Sequence, residues 1–159
     1  VGIIRILKSV KDKDNLLGYN TWSMGDYSTT GIFNVTNGVD FYQISNELSI
    51  KGDYSVKIKE TTSNVYCGYK VNVDTLIGHV LTFSANILTN SQVNLAIYQH
   101  NSVNGDYTSD RVSVTSDNLN NQFSVSTSIL ENTDYVLCRI DTVSLGTILY
   151  MDNWELIAQ

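Results

Sequence analysis

The sequence predicts an all-β protein, a β-sandwich jelly roll of two facing antiparallel sheets, and three observations carry that prediction. Apolar residues recur with a period of two through much of the chain, as in Val65, Cys67, Tyr69, Val71 and Val73 set against Tyr66, Gly68, Lys70 and Asn72. That is the pattern of strands with one wet face. The alternating runs are short and are separated by turn residues at about 8–12-residue spacing, which makes room for ten or eleven strands. Composition agrees, since charged residues are only 16% of the 159 and there is no proline. Turns then fall to Gly, Asn and Asp, and of the residues that long helices favour, Glu occurs only four times and Ala only three.

Residues 2–7 are an apolar run of strand length, followed by the charged Lys11-Asp12-Lys13-Asp14. Asn15-Leu16-Leu17 leads into a turn-rich segment ending at Trp22. Residues 31–35 and 39–44 flank Asn37-Gly38, a pair favoured where both turn residues need positive φ, and read as a β-hairpin. Leu48-Ser49-Ile50 approaches a turn at Gly52-Asp53, after which Tyr54, Val56 and Ile58 face one way and Ser55, Lys57 and Lys59 the other.

The Cys67 strand follows, then Leu81, Phe83, Ala85 and Ile87 alternating with Thr82, Ser84 and Asn86. Val93, Leu95 and Ile97 next alternate with Asn94, Ala96 and Tyr98. Residues 100–107 read as a loop by their Asn, Gly and Asp content. Residues 111–114, 123–129 and 135–142 are three further strands, and Gly146 precedes the last, residues 147–156. That closing strand is apolar and aromatic except for Asp152-Asn153 in its middle. It is expected to return beside the first strand, and its carboxylate must be solvated, hydrogen-bonded or metal-bound, because burying it alone is prohibitive.

A chain of 159 residues buries roughly 70% of its unfolded surface without disulfide staples, so residues 1–159 are read as a single domain. The start at Val1 rather than Met is read as the mark of a piece of a larger protein. Ten basic against 16 acidic residues give a net charge of −6, which argues against tracking a phosphate backbone. It is compatible with a neutral ligand or a divalent cation. No apolar run approaches membrane-spanning length. Cys67 and Cys138 each fall on an apolar alternation and are read as buried free thiols, with a disulfide as the alternative in a secreted protein.

The order of landmarks carries a resemblance. Asn15-Leu16-Leu17, Trp22, Gly52-Asp53-Tyr54-Ser55-Val56-Lys57-Ile58, Gly78 with Leu81-Thr82-Phe83-Ser84-Ala85, and Tyr150-Met151-Asp152-Asn153-Trp154-Glu155-Leu156 resemble the carbohydrate-binding modules of the galactose-binding-like jelly-roll group, especially the cellulose- and xylan-binding type (families 4, 9 and 22). The likeness runs from about Asn15 to the end of the chain. It implies sugar binding on a concave sheet face or at loop ends, an extracellular or cell-surface setting, and often a structural calcium. It also implies that Asp152 is the matching calcium ligand. The acid that the family carries shortly after Asn-Leu-Leu has no counterpart in Gly18-Tyr19-Asn20-Thr21-Trp22, which leaves Asp14, Asp53 or Asp26 to stand in for it. For Asp152 two readings stay open, a calcium ligand and an acid hydrogen-bonded to a turn.

Sugars are held by aromatic faces and by planar amide and carboxylate groups. On the alternations above, Tyr66, Asn86, Asn94 and Tyr98 occupy polar faces, with His100, Tyr107 and Arg111 just beyond. They form a groove if their strands share the concave sheet. Trp22 and Trp154 are assigned to the core. No nucleophile elbow, metal-ligand spacing or phosphate-cradling loop is present, and Cys67 with His79 reads as a core thiol and a turn histidine. The expected function is therefore a non-catalytic polysaccharide- or glycan-binding module, accessory to an enzyme or adhesin. The alternative is a structural or adhesive jelly-roll domain of an adhesin, surface-layer or tail-fibre protein, with stacked aromatics on the concave face as the discriminator.

Overall fold

The computed structural model describes residues 16–17, 33–35, 39–45, 47–50, 55–60 and 66–159, with the backbone path alone for 33–35, 39–45 and Glu60. Ten strands lie among the described residues: β1 Phe33–Val35, β2 Val39–Ser45, β3 Ser55–Glu60, β4 Tyr66–Asn72, β5 Val80–Thr89, β6 Val93–Asn101, β7 Tyr107–Val114, β8 Gln122–Ser128, β9 Thr133–Thr142 and β10 Ile148–Ala158. The described helical content is one 3-10 turn, Asp74–Leu76. Every strand pair is antiparallel, in two five-stranded sheets ordered β1-β4-β9-β6-β7 and β2-β3-β10-β5-β8. This is the all-β jelly-roll sandwich that the alternation predicts.

Period-2 alternation decides which side of each strand faces the partner sheet. Cys67, Tyr69, Leu95, Ile97, Val136, Cys138 and Ile140 from the first sheet meet Val56, Ile58, Leu81, Phe83, Ile87, Leu149, Met151, Trp154 and Leu156 from the second in one buried core. Each large side chain sealed there contributes about 1.5–3 kcal/mol relative to leaving it exposed. Trp154 is fully buried as expected, edge-on to Tyr69 at 5.4 Å and tilted against Phe83 at 5.2 Å. Both cysteines are free and buried. Burial pushes both thiols well above their ordinary range, the reverse of what a nucleophile needs, while His79 is exposed.

The hairpin expected around Asn37-Gly38 is corrected. β1 pairs with β4 in one sheet and β2 with β3 in the other, so the two flanking runs do not pair with each other. A sandwich corner needs a chain reversal just as a hairpin does, and Asn-Gly chemistry does not distinguish them. The turns at Asn37-Gly38 and Gly52-Asp53, the run 2–7 and Trp22 lie outside the described residues.

The 100–107 loop is also shorter than expected. The β6–β7 ladder continues to the pair His100↔Tyr107. The turn is a tight one, with Asn101 Oδ1 accepting from the Val103 and Asn104 amides and Gly105 at φ +77.

The closing strand holds the centre of the second sheet, between β3 and β5. Opposite Asn86 and Ser84 of β5 stand Asp152 and Glu155, so β10 carries one extra residue there, a β-bulge. Asn153 sits in the left-handed region at φ +53, a conformation that Asn tolerates better than most residues. The bulge resets the alternation, so that Leu149 and Met151 point into the core before it and Trp154 and Leu156 after it. Asp152 is fully buried. Its Oδ2 accepts the Ile50 amide at 2.6 Å and its Oδ1 the Asn153 amide at 2.7 Å.

Candidate functional site

The outer face of the first sheet is set by register. Across β4, β9, β6 and β7 run four rows: Tyr66-Asp141-Asn94-Ser113, Gly68-Arg139-Ala96-Arg111, Lys70-Leu137-Tyr98-Ser109 and Asn72-Tyr135-His100-Tyr107. On β4, β9 and β6 the inward neighbours of these residues are mostly the core positions named above. A buried inner face therefore forces this set of aromatic, amide and charged groups together on the outside.

At the centre lies Arg139. Its guanidinium carbon is 3.7 Å from the Tyr98 ring centroid and 4.2 Å from that of Tyr66, so it bridges the two tyrosines by cation–π contact. Nε approaches Asp141 Oδ1 at 2.7 Å as an ion pair without the alignment of a hydrogen bond, and Nη2 reaches Oδ2 at 3.4 Å. Tyr98 donates its hydroxyl to the same Asp141 Oδ2 at 2.7 Å. Burial first, and then this bond to a carboxylate, push the Tyr98 phenol above its usual range, which keeps it a donor. Two residues make room. Gly68 has no side chain beside Arg139, and Ala96 is fully buried yet outside the core cluster, in register between the two arginines.

The last row forms an aromatic cluster. His100 stacks on Tyr135 at 4.4 Å and 12°, and Tyr107 tilts against His100 at 5.0 Å. The Tyr107 and Tyr135 hydroxyls are hydrogen-bonded to each other. That bond first, then burial, push Tyr135 up to about 12. Lys70 Nζ lies 3.9 Å above the Tyr135 ring. His100 Nδ1 is 2.7 Å from Asp134 Oδ1 and holds that carboxyl below its ordinary value. Between this cluster and Arg139 is a hollow of about 330 Å³ lined by Tyr66, Tyr98, Tyr107, Leu137 and Arg139. A second, of about 190 Å³, shares Tyr66, Tyr98 and Arg139 and reaches Asn94, Arg111 and Asp141.

Of the seven residues singled out in the sequence, six gather here: Tyr66, Asn94, Tyr98, His100, Tyr107 and Arg111. Asn86 does not. It belongs to β5 in the other sheet, where it is 5% exposed beneath the segment that follows β7. It donates to the Leu119 and Asn120 carbonyls at 3.1 Å and accepts from Asn153 Nδ2. Its place on a polar strand face was legible, but the loop that covers that face was not. Sequence reasoning missed Arg139, Asp141, Tyr135, Leu137 and Lys70 as site residues. The signal for the first two was present, because inward Val136, Cys138 and Ile140 leave Leu137, Arg139 and Asp141 facing out.

The β5–β8 part of the second sheet's outer face differs in kind. Thr82, Ser84, Ser124 and Ser126 pair across β5 and β8, with Thr82 and Ser126 hydroxyls bonded to each other at 2.8 Å. Small hydroxyls of this sort offer no aromatic platform.

Among the described residues no three His, Cys, Asp or Glu side chains converge as a metal-binding group. Of the three expected calcium ligands, Asp152 alone is described, while Asp14 and Asp53, like Asp26, lie outside. Both Asp152 oxygens take backbone N–H donors, the arrangement of a structural carboxylate.

Strand order and antiparallel pairing define a β-sandwich jelly roll. Among solved structures, the chain is similar to the CBM22-1 xylan-binding domain from Paenibacillus barcinonensis Xyn10C, at 14% identity and a TM-score of 0.60, covering 82% of this chain and 88% of that one. It is similar to TmCBM61 in complex with β-1,4-galactotriose, at 15% identity and 0.62, covering 91% and 99%. It is also similar to the enzymatically active domain of bacteriophage CBA120 tailspike protein 4, at 12% identity and 0.69, covering 92% of this chain but 22% of that one. At such identities the likeness is one of fold. No protein-family model matches the sequence, and no curated protein matches it.

Proposed function

We propose that this protein is a non-catalytic carbohydrate-binding module whose outer β4-β9-β6-β7 face holds a polysaccharide or oligosaccharide chain. The observation that carries the reading is the Tyr66–Arg139–Tyr98 arrangement with Asp141 beneath adjoining hollows. Aromatic rings match the apolar faces of pyranoses, and planar charged and amide groups match their hydroxyls. Support also comes from the sugar-binding neighbours in fold, although fold alone does not fix function.

An extracellular or cell-surface parent protein is part of the same proposal. A structural calcium at Asp152, with Asp14 and Asp53 completing its ligands, is a further part, supported by the full burial of that carboxylate. The scaffold alternative, a stalk-like domain without ligand, predicts an outer face of small polar or bulky apolar groups. That description suits the β5–β8 surface and not the tyrosine-lined one.

The test is affinity electrophoresis and a glycan array, run with Tyr66→Ala and Tyr98→Ala beside the parent. The expected result is a binder among the polysaccharides whose retention drops about two- to tenfold in either variant, since stacking of this kind contributes about 0.5–1.5 kcal/mol per ring. A protein that binds no glycan, or variants that bind like the parent, would overturn the assignment of this face.

A further inference from the structure

We propose that this groove selects an anionic glycan, one bearing carboxylate or sulfate oxygens, over a neutral glycan of the same backbone. The inference rests on the carbohydrate reading above and narrows it. The chain as a whole is acidic, with 16 acidic against 10 basic residues, yet the four rows of the outer face carry Lys70, Arg111 and Arg139 against a single carboxylate, Asp141. Asp141 is engaged by Arg139, and Asp134, at the end of β9, by His100. Arg111 donates to Ser109 Oγ at 3.0 Å and lies 5.8 Å from the Tyr98 ring, while Lys70 rests over Tyr135. Neither has a carboxylate partner among the described residues.

The geometry points the same way. Arg139 and Arg111 share one row with only Ala96 between them, and both guanidinium carbons lie within 5.8 Å of the Tyr98 centroid. The two arginines flank one methyl and both line the smaller hollow. Arg139 turns Nε and Nη2 to Asp141, so Arg111, which donates to Ser109 Oγ alone among the described residues, is the guanidinium available to an incoming anion. Forked donors of this kind match the paired oxygens of carboxylate and sulfate. Arg139 also bridges Tyr66 and Tyr98, so a sugar arriving there meets a cation beside the aromatic rings. A neutral hydroxyl accepts there from a charged donor alone, whereas an anionic oxygen adds the opposite charge and can take the guanidinium in a paired, ion-pairing contact.

The test is calorimetric titration with polygalacturonate and with its fully methyl-esterified form, which share a backbone and differ in charge. Chondroitin (uronate only) and dextran sulfate (sulfate only) separate the two sources of anionic oxygen. Xylan, galactan and polyglutamate serve as controls. The expected result is that an anionic chain is bound about tenfold or more tighter than its uncharged counterpart at low salt. That advantage shrinks as salt is raised from about 0.05 to 0.5 M. Arg111→Gln, an exposed position on the edge strand with its fold checked by thermal melting, narrows the acid-to-ester ratio.

Equal affinity for the charged and uncharged forms, or binding to xylan or galactan and to none of the anionic chains, overturns the proposal while the carbohydrate reading stands. Polyglutamate bound as tightly as polygalacturonate overturns it as a bare polyanion effect. Binding to no polysaccharide at all overturns both.

Discussion

Gly68 stands directly opposite Arg139 across β4 and β9, and a Cβ at position 68 would lie 2.1 Å from the Cys138 carbonyl oxygen and 2.6 Å from the Arg139 Cβ. The first contact is with backbone, which cannot swing aside. The missing side chain thus lets the two strands close at the point where the central arginine is anchored. Gly68→Ala is expected to cost on the order of 1–3 kcal/mol, as overpacking does, read as a lowered urea midpoint. Glycan affinity is expected to fall with it, because Arg139 links Tyr66 of β4 to Tyr98 of β6. An unchanged midpoint would mean that the strands yield freely there.

Asn86 supplies the opposite case, a residue that serves the fold and not the groove. Asn86→Ala leaves the buried carbonyl of Leu119, and that of Asn120, without their donor. Leaving such groups unsatisfied costs about 1–3 kcal/mol, so chemical denaturation is expected to show a clear loss of stability. Affinity for glycan in the folded variant should match the parent, since Asn86 lies in the other sheet. A selective loss of binding would return Asn86 to the site.

Alkaline pH should destabilise the protein through its tyrosines. Tyr98, Tyr135 and Tyr150 all titrate higher when folded than the ordinary phenol value of 10.0, Tyr135 at about 12. The unfolded chain therefore loses these protons first, and stability declines as pH rises from about 10 through the folded values. Below the unfolded value the contribution is fully present. Urea midpoints at about pH 8, 10 and 11 check this, and a Tyr135→Phe variant should show a shallower alkaline decline than the parent.

Calcium is expected to raise the melting temperature of chelator-treated protein, with Asp152→Asn removing the rise, if the buried carboxylate completes an oxygen cage. Calorimetric titration that gives no heat, together with a melting point unchanged by chelator, would leave Asp152 as the bulge's hydrogen-bond acceptor alone.

The two thiols are expected to be silent toward an aromatic disulfide reagent in native buffer and to react as two free thiols after denaturation without reductant. Both are buried and unbonded in the core. Fewer than two reactive thiols in the denatured protein would mean a disulfide.

Alternation by itself determined the all-β class, the inward set around Cys67, Ile97 and Phe83, and the outward positions of Tyr66, Asn94 and Tyr98. The pleat gives each strand residue one of two directions, and core burial selects between them. The bulge went unread, although the three-residue step from Met151 to Trp154 that interrupts the two-residue step from Leu149 to Met151 carries its signal. Only the tertiary structure decided which strands are neighbours, because pairing depends on contacts remote in sequence that local pattern does not encode. That is why the 31–44 run read as a hairpin although its strands belong to opposite sheets, and why Asn86 read as exposed although a later loop covers it. It is also why Arg139, one outward residue in an ordinary alternation, became the centre of the face only once β9 was seen to lie between β4 and β6, bringing Tyr66 and Tyr98 to either side of its guanidinium.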